Sequence, residues 1–172
     1  MKKHIRKLVI IAIAVITLIS VGGCGIKPAT IPEENKVKVS EMENTKSGIG
    51  AICKALKDKE YVSDDCVQTN AALIGANEGY RFDSVKFNSS VFSLEIYEFS
   101  DTSSDTAKKC IDEVKKNNSF TLFGKTVEYC YMSDNGKYLL IYPDPKTKSD
   151  KADDKAHVER LDEIKKIINS QK

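Results

Sequence analysis

Val85-Lys86-Phe87-Asn88-Ser89-Ser90-Val91-Phe92-Ser93-Leu94-Glu95-Ile96-Tyr97-Glu98-Phe99 is the stretch that decides the fold. Val85 and Phe87 precede Asn88-Ser89-Ser90, after which Phe92, Leu94 and Ile96 alternate with Ser93, Glu95 and Tyr97. A period of two around a turn-forming tripeptide predicts a β-hairpin, with residues 95–99 its strongest strand.

Working outward, the same grammar recurs. Residues 126–132 predict a strand, Asn135-Gly136 carries the signal of a type I′ turn, and residues 137–142 predict the return strand, stopped by Pro143 and Pro145. Between the hairpins, Asp101-Thr102-Ser103-Ser104 supplies caps for a helix with Ala107, Cys110, Ile111 and Val114 on one face, ending near Asn117-Asn118. Upstream, Ile49, Ile52, Cys53 and Leu56 fall at i, i+3, i+4 and i+7, which predicts a helix over 47–60. Val67, Ala71 and Ile74 extend that spacing into a second helix, after the Ser63-Asp64-Asp65 cap and before Gly75 or Gly79. Val158, Leu161, Ile164, Ile167 and Ile168 mark a final helix. The expected fold is α+β in the order α-α-ββα-ββα, an antiparallel sheet of about four strands from two hairpins with helices packed on one face.

The amino terminus has a different character. Lys2, Lys3, Arg6 and Lys7 precede a 14-residue apolar run over 8–21, too short for a bilayer-spanning helix, which needs about 20 residues. A basic prefix with a short apolar core reads as a secretory signal. The run ends in Val21-Gly22-Gly23-Cys24, which resembles the lipobox of bacterial lipoproteins. That resemblance implies removal of residues 1–23, acylation of Cys24 and residence on the extracytoplasmic face of the cell membrane. Two or more acyl chains, at about 0.8 kcal/mol per buried CH₂, anchor a chain stably. Residues 24–44, with two prolines, many charges and no sustained apolar period, read as the lipidated start and a flexible tether. Residues 45–172 then form one α+β domain. The string Ile74-Gly75-Ala76-Asn77-Glu78-Gly79-Tyr80-Arg81-Phe82 with the 95–99 strand resembles small lipoproteins of Gram-positive bacteria, which implies a compact extracytoplasmic domain and carries no activity with it.

Charge narrows the partners. The whole chain has 27 basic and 25 acidic residues; without its first 23 residues, four of them basic and none acidic, it is 23 against 25, a net −2. The basicity of the precursor therefore belongs to the targeting segment, and a nucleic-acid partner is not expected.

With Cys24 assigned to lipid, Cys53, Cys66, Cys110 and Cys130 remain. An even number in an exported domain makes them candidate disulfide partners, the preferred pairs being Cys53–Cys66 and Cys110–Cys130; buried free thiols are the other reading. No two cysteines stand two to four residues apart and His157 is the one histidine beyond residue 23, so neither a zinc site nor a redox pair is expected, and no cofactor. Gly124-Lys125-Thr126 matches the end of a phosphate-binding loop, but Ser119 stands where its first glycine belongs. His157 reads as a solvated residue of a charged helix rather than a general base. Asp101, Asp105, Asp150, Asp153 and Asp154 lack the order of a calcium loop and read as helix-capping charges. Tyr97, Tyr129, Tyr131, Tyr138 and Tyr142 fall on expected strands, either as an exposed binding row or, by preference, as core filling in a chain without tryptophan. The function these readings favour is a lipid-anchored, non-enzymatic binding or accessory domain of the cell envelope, meeting an envelope protein or other component. A small hydrolase using scattered carboxylates is the alternative.

Overall fold

The computed structural model describes residues 35–42 and 46–171. Cys24, the apolar run and most of the expected tether lie outside them.

The hairpin that decides the fold is built from β3 (Glu78–Phe87) and β4 (Ser90–Glu98), joined by Asn88-Ser89. The pairing runs from Glu78↔Glu98 to Phe87↔Ser90, with a bulge between Phe82 and Val85 where Ser84 takes a left-handed φ of 56°. This pair is the middle of a six-stranded, wholly antiparallel sheet in the order β1-β2-β3-β4-β8-β7. The other members are β1 (Lys36–Lys38), β2 (Asp65–Gln68), β7 (Cys130–Met132) and β8 (Tyr138–Ile141). A separate two-stranded ribbon comprises β5 (Phe120–Leu122) and β6 (Lys125–Val127).

Three α-helices complete the described residues: α1 (Gly48–Asp58), α2 (Asp105–Asn117) and α3 (Lys155–Asn169). Helix α2 starts as its sequence requires, the Ser104 side chain accepting from Ala107 N–H, and ends at Asn118 in the left-handed conformation.

The α+β class holds, but the sheet has six strands where about four were expected. Two of the extra strands come from sequence that read otherwise. Val67 fits a helical spacing with Ala71 and Ile74, yet β2 pairs with β3 through Val67↔Arg81 and Gln68↔Tyr80, satisfying the outer backbone groups of β3; the helical pattern survives as one 3-10 turn at Ala71–Ile74. Lys36–Lys38 lies inside the segment read as tether, and pairs with β2 as the edge strand. Two exposed lysines on so short an edge discourage further pairing. The single strand expected over 126–132 is divided: Tyr129 adopts a φ of 59° and separates β6 from β7. At Asn135-Gly136 only the glycine has a positive φ, so the turn is not type I′.

Helices occupy both faces of the sheet rather than one. Tyr80, Phe82, Leu94, Ile96, Tyr138 and Leu140 face α1 and α3, through Ile52, Leu56, Leu161 and Ile164. The alternate residues Tyr97, Leu139 and Ile141 face α2 and the ribbon, through Ala107, Ile111, Val114 and Phe120. Strand β8 is therefore buried along its whole length, Tyr138 to Ile141, as expected of a strand covered on both sides.

Candidate functional site

The start of β3, the end of β4 and the start of β8 lie side by side, because Glu78 pairs with Glu98 and Glu98 with Tyr138. Alternation puts Glu78, Tyr80, Glu98 and Tyr138 on the α1 face. There the amino terminus of α1 stops short of covering the sheet end, leaving a cleft of about 500 Å³ lined by Val37, Met42, Gly48, Ile49, Lys137 and these four side chains, among others.

Two carboxylates directly opposite each other on one sheet face repel. Each finds a donor. Ile49 N–H, one of the unpaired donors in the first turn of α1, gives its hydrogen bond to Glu98 Oε2 at 3.0 Å. Gly48 permits this approach: its φ is 69°, and a Cβ there would stand 3.1 Å from the same oxygen. Tyr138 hydrogen-bonds Glu98 as well; burial, then that carboxylate's charge and hydrogen bond, push the phenol up from its ordinary range. Tyr80 donates to Glu78 Oε1 at 2.5 Å, and burial followed by that bond raises its pKa. The cleft thus has an acid pair on its floor, tyrosine hydroxyls beside it, an apolar lip at Val37 and Met42, and Lys137 in its lining.

A second constellation joins the hairpin tip to α3. His157 is 1% exposed and Asp144 0%, with Nδ1 of the imidazole 2.6 Å from Asp144 Oδ2. This overturns the solvated histidine expected from sequence: the charged face of α3 lies one side over, and His157 lies on its buried stripe with Arg160, Leu161 and Ile164. Ser90 Oγ and Lys146 N–H donate to Asp144 Oδ1, at 3.3 and 3.1 Å. Asn88 Nδ2 stands 3.4 Å from Nε2, and Phe87 meets the ring edge-on at 4.8 Å. The nearby hydroxyl is thus bonded to the aspartate while an amide occupies the outer ring nitrogen. Among the described residues no nucleophile bonds the imidazole; the group ties the β3–β4 turn to α3.

The tyrosines divide as core filling. Tyr97, Tyr138 and Tyr142 are buried, while Tyr129 and Tyr131 are half-buried under Lys148 and Lys165, whose ammonium groups sit 4.1 and 4.4 Å from the ring centroids. No exposed tyrosine row forms on these strands. The four cysteines are buried and free. Cys53 and Cys66 share the α1/α3 core, Cys110 and Cys130 the α2 core. Burial pushes Cys66 and Cys110 up to about 12, and Cys53 and Cys130 further. Asp101 acts locally, its pKa lowered first by the hydrogen bond from the Ser103 side chain and then by Ser103 N–H, which donates to it at 2.7 Å. Among the described residues no group of three or more His, Cys, Asp or Glu could hold a metal ion, and no helix is long and apolar enough to cross a membrane.

The cleft was missed by sequence reasoning. Glu78 and Glu98 are 20 residues apart, and the register needed to oppose them depends on the 82–85 bulge, which no sequence signal announced. No family model, curated protein or solved structure matches this chain.

Proposed function

We propose that the protein is a lipid-anchored extracytoplasmic lipoprotein whose domain binds a cationic, amine-bearing component of the cell envelope in the cleft between α1 and the β3-β4-β8 sheet end. One observation carries the binding site: two glutamates, opposed across adjacent strands, line an open cleft rather than a solvated edge. A visiting ammonium or guanidinium would relieve their repulsion and donate charge-assisted hydrogen bonds to both. The anchor rests on Val21-Gly22-Gly23-Cys24 and the basic, short apolar segment before it.

The cleft also favours a second reading, a hydrolase with paired carboxylates. The contacts favour the first reading: Glu98 already accepts from Ile49 N–H and Tyr138, and Glu78 from Tyr80, an arrangement that holds both carboxylates in place as acceptors for a cation.

Titration calorimetry of the full chain with a short lysine-containing peptide and its acetylated form tests the cleft. The free amine should bind, acetylation should abolish binding, and Glu78→Gln or Glu98→Gln should weaken it about tenfold or more. Equal binding of both peptides would sink the reading. Mass spectrometry of wild type and Cys24→Ala tests the anchor, which requires an acyl mass on residue 24 of the former alone.

A further inference from the structure

Among the described residues, two large apolar side chains stand in solvent, Phe123 at 79% and Val91 at 64% exposure. Phe123 is the more singular. It opens the two-residue turn of the β5–β6 ribbon, where Phe123 and Gly124 both have positive φ, 49° and 75°. A type I′ turn selects Asn, Asp or Gly at its first position; an aromatic there is a poor choice for folding, and the residue is not buried to compensate.

The ribbon is held firmly at its base and open at its tip. Phe120 and Val127 are buried in the α2 core, and Thr121 N–H donates to Glu113 Oε2 at 2.7 Å. A Cβ on Gly124 would meet nothing within 4 Å. Between Glu113 and Glu128 the chain contains Lys115, Lys116 and Lys125 and no acidic residue, and all three lysines are exposed.

We propose that the β5–β6 tip is a membrane-contacting element, in which Phe123 inserts into the interfacial layer of an anionic bilayer while Lys116 and Lys125 meet its headgroups. One exposed aromatic with Lys125 beside it in the turn, the acids Glu113 and Glu128 standing back toward the base of the ribbon, is the chemistry of a lipid–water interface. The inference takes its location from the lipid-anchor reading. Residue 35 lies eleven positions after Cys24, a reach of at most about 40 Å when fully extended. An anchored domain would thus stay within contact range of the bilayer, so that even a weak insertion is favoured by proximity.

The chain has no tryptophan, so Phe123→Trp makes a sole indole at the tip. The full chain carrying this change is reconstituted in vesicles of phosphatidylcholine alone or with phosphatidylglycerol, some with brominated acyl chains. With phosphatidylglycerol present the indole emission should shift to the blue and be quenched by the brominated lipid. Val91→Trp should show neither change. Lys116→Gln with Lys125→Gln should remove the preference for phosphatidylglycerol. An indole at position 123 that emits as in water and escapes quenching on both vesicles overturns the proposal, and would turn the tip toward a protein partner. The amino-terminal mass of the same sample is read alongside. An absent acyl mass with a quenched indole refutes the anchor and leaves the tip standing; an acyl mass with a wet indole does the reverse.

Discussion

At Gly79 a hydrogen stands where any other residue would put a methyl group 2.4 Å from Tyr97 Cδ1 and 2.5 Å from Thr69 Oγ1. Gly79 and Tyr97 are cross-strand partners, and the buried tyrosine ring lies over the glycine. The ring has little room to retreat, since Tyr97 is buried and also donates to Glu95 Oε2 at 2.5 Å. Gly79→Ala should cost about 1–3 kcal/mol through overpacking, read as a lowered midpoint in urea unfolding. Phe123 presents the opposite case. A left-handed conformation costs a non-glycine residue about 1–2 kcal/mol, so Phe123→Gly should raise the urea midpoint even though it removes an aromatic ring. A variant less stable than wild type would mean that the ring makes folded-state contacts that its exposure denies.

At the scale of elements, β1 shows how an edge strand is held by a few polar bonds. Asp64 receives Ser40 N–H at 2.9 Å and Ser40 Oγ at 2.7 Å, and Lys57 Nζ stands 2.8 Å away. Lys57 first, then Ser40, hold its carboxyl down at about 2. A depressed carboxylate contributes stability that is present above the unfolded value near 4 and lost as pH falls through the folded one. Amide protection over residues 36–41, taken against the unstructured chain's exchange at the same pH, should therefore fall between about pH 4 and pH 2 before that of the central strands, and Asp64→Asn should show the lower protection already at neutral pH. Uniform exchange across the sheet in that window would contradict it. This segment also marks what the sequence could disclose. Elements whose own side chains form a full face were readable: α1, α2, α3 and the β3–β4 hairpin each carry at least three apolar residues at the right period. Strands β1 and β2, of three and four residues, exist because β3 has an edge to satisfy, and that requirement is invisible in Lys36-Val37-Lys38 itself. The cleft was hidden for a related reason, since its carboxylates meet through register.

Over the whole molecule, two cores on opposite faces of one sheet each contain a pair of cysteines. The single-faced arrangement expected from sequence could not separate them, because alternation along β4 and β8 gives apolar residues to both faces and looks like generous packing of one. All four thiols are kept protonated by burial, Cys66 and Cys110 up to about 12, with a lesser push from neighbouring charges. In the unfolded chain they ionise near 8.5. Above that pH the unfolded state gives up protons that the folded state retains, so stability is full below about 8.5 and falls as pH rises toward 12. Each thiol adds at most about 1.4 kcal/mol per pH unit to the slope. Urea unfolding of the reduced chain at pH 7 to 11 should therefore show a steady loss of stability, with four thiols that resist iodoacetamide when folded and react when unfolded. The same titration without reductant bears on the disulfides expected for an exported domain. Bonds between Cys53 and Cys66 and between Cys110 and Cys130 would take the titrating protons away and flatten the slope until reductant restores it. An identical slope with and without reductant, with all four of these thiols alkylatable in the unfolded chain, would refute the bonds and leave two hydrophobic cores with buried free thiols.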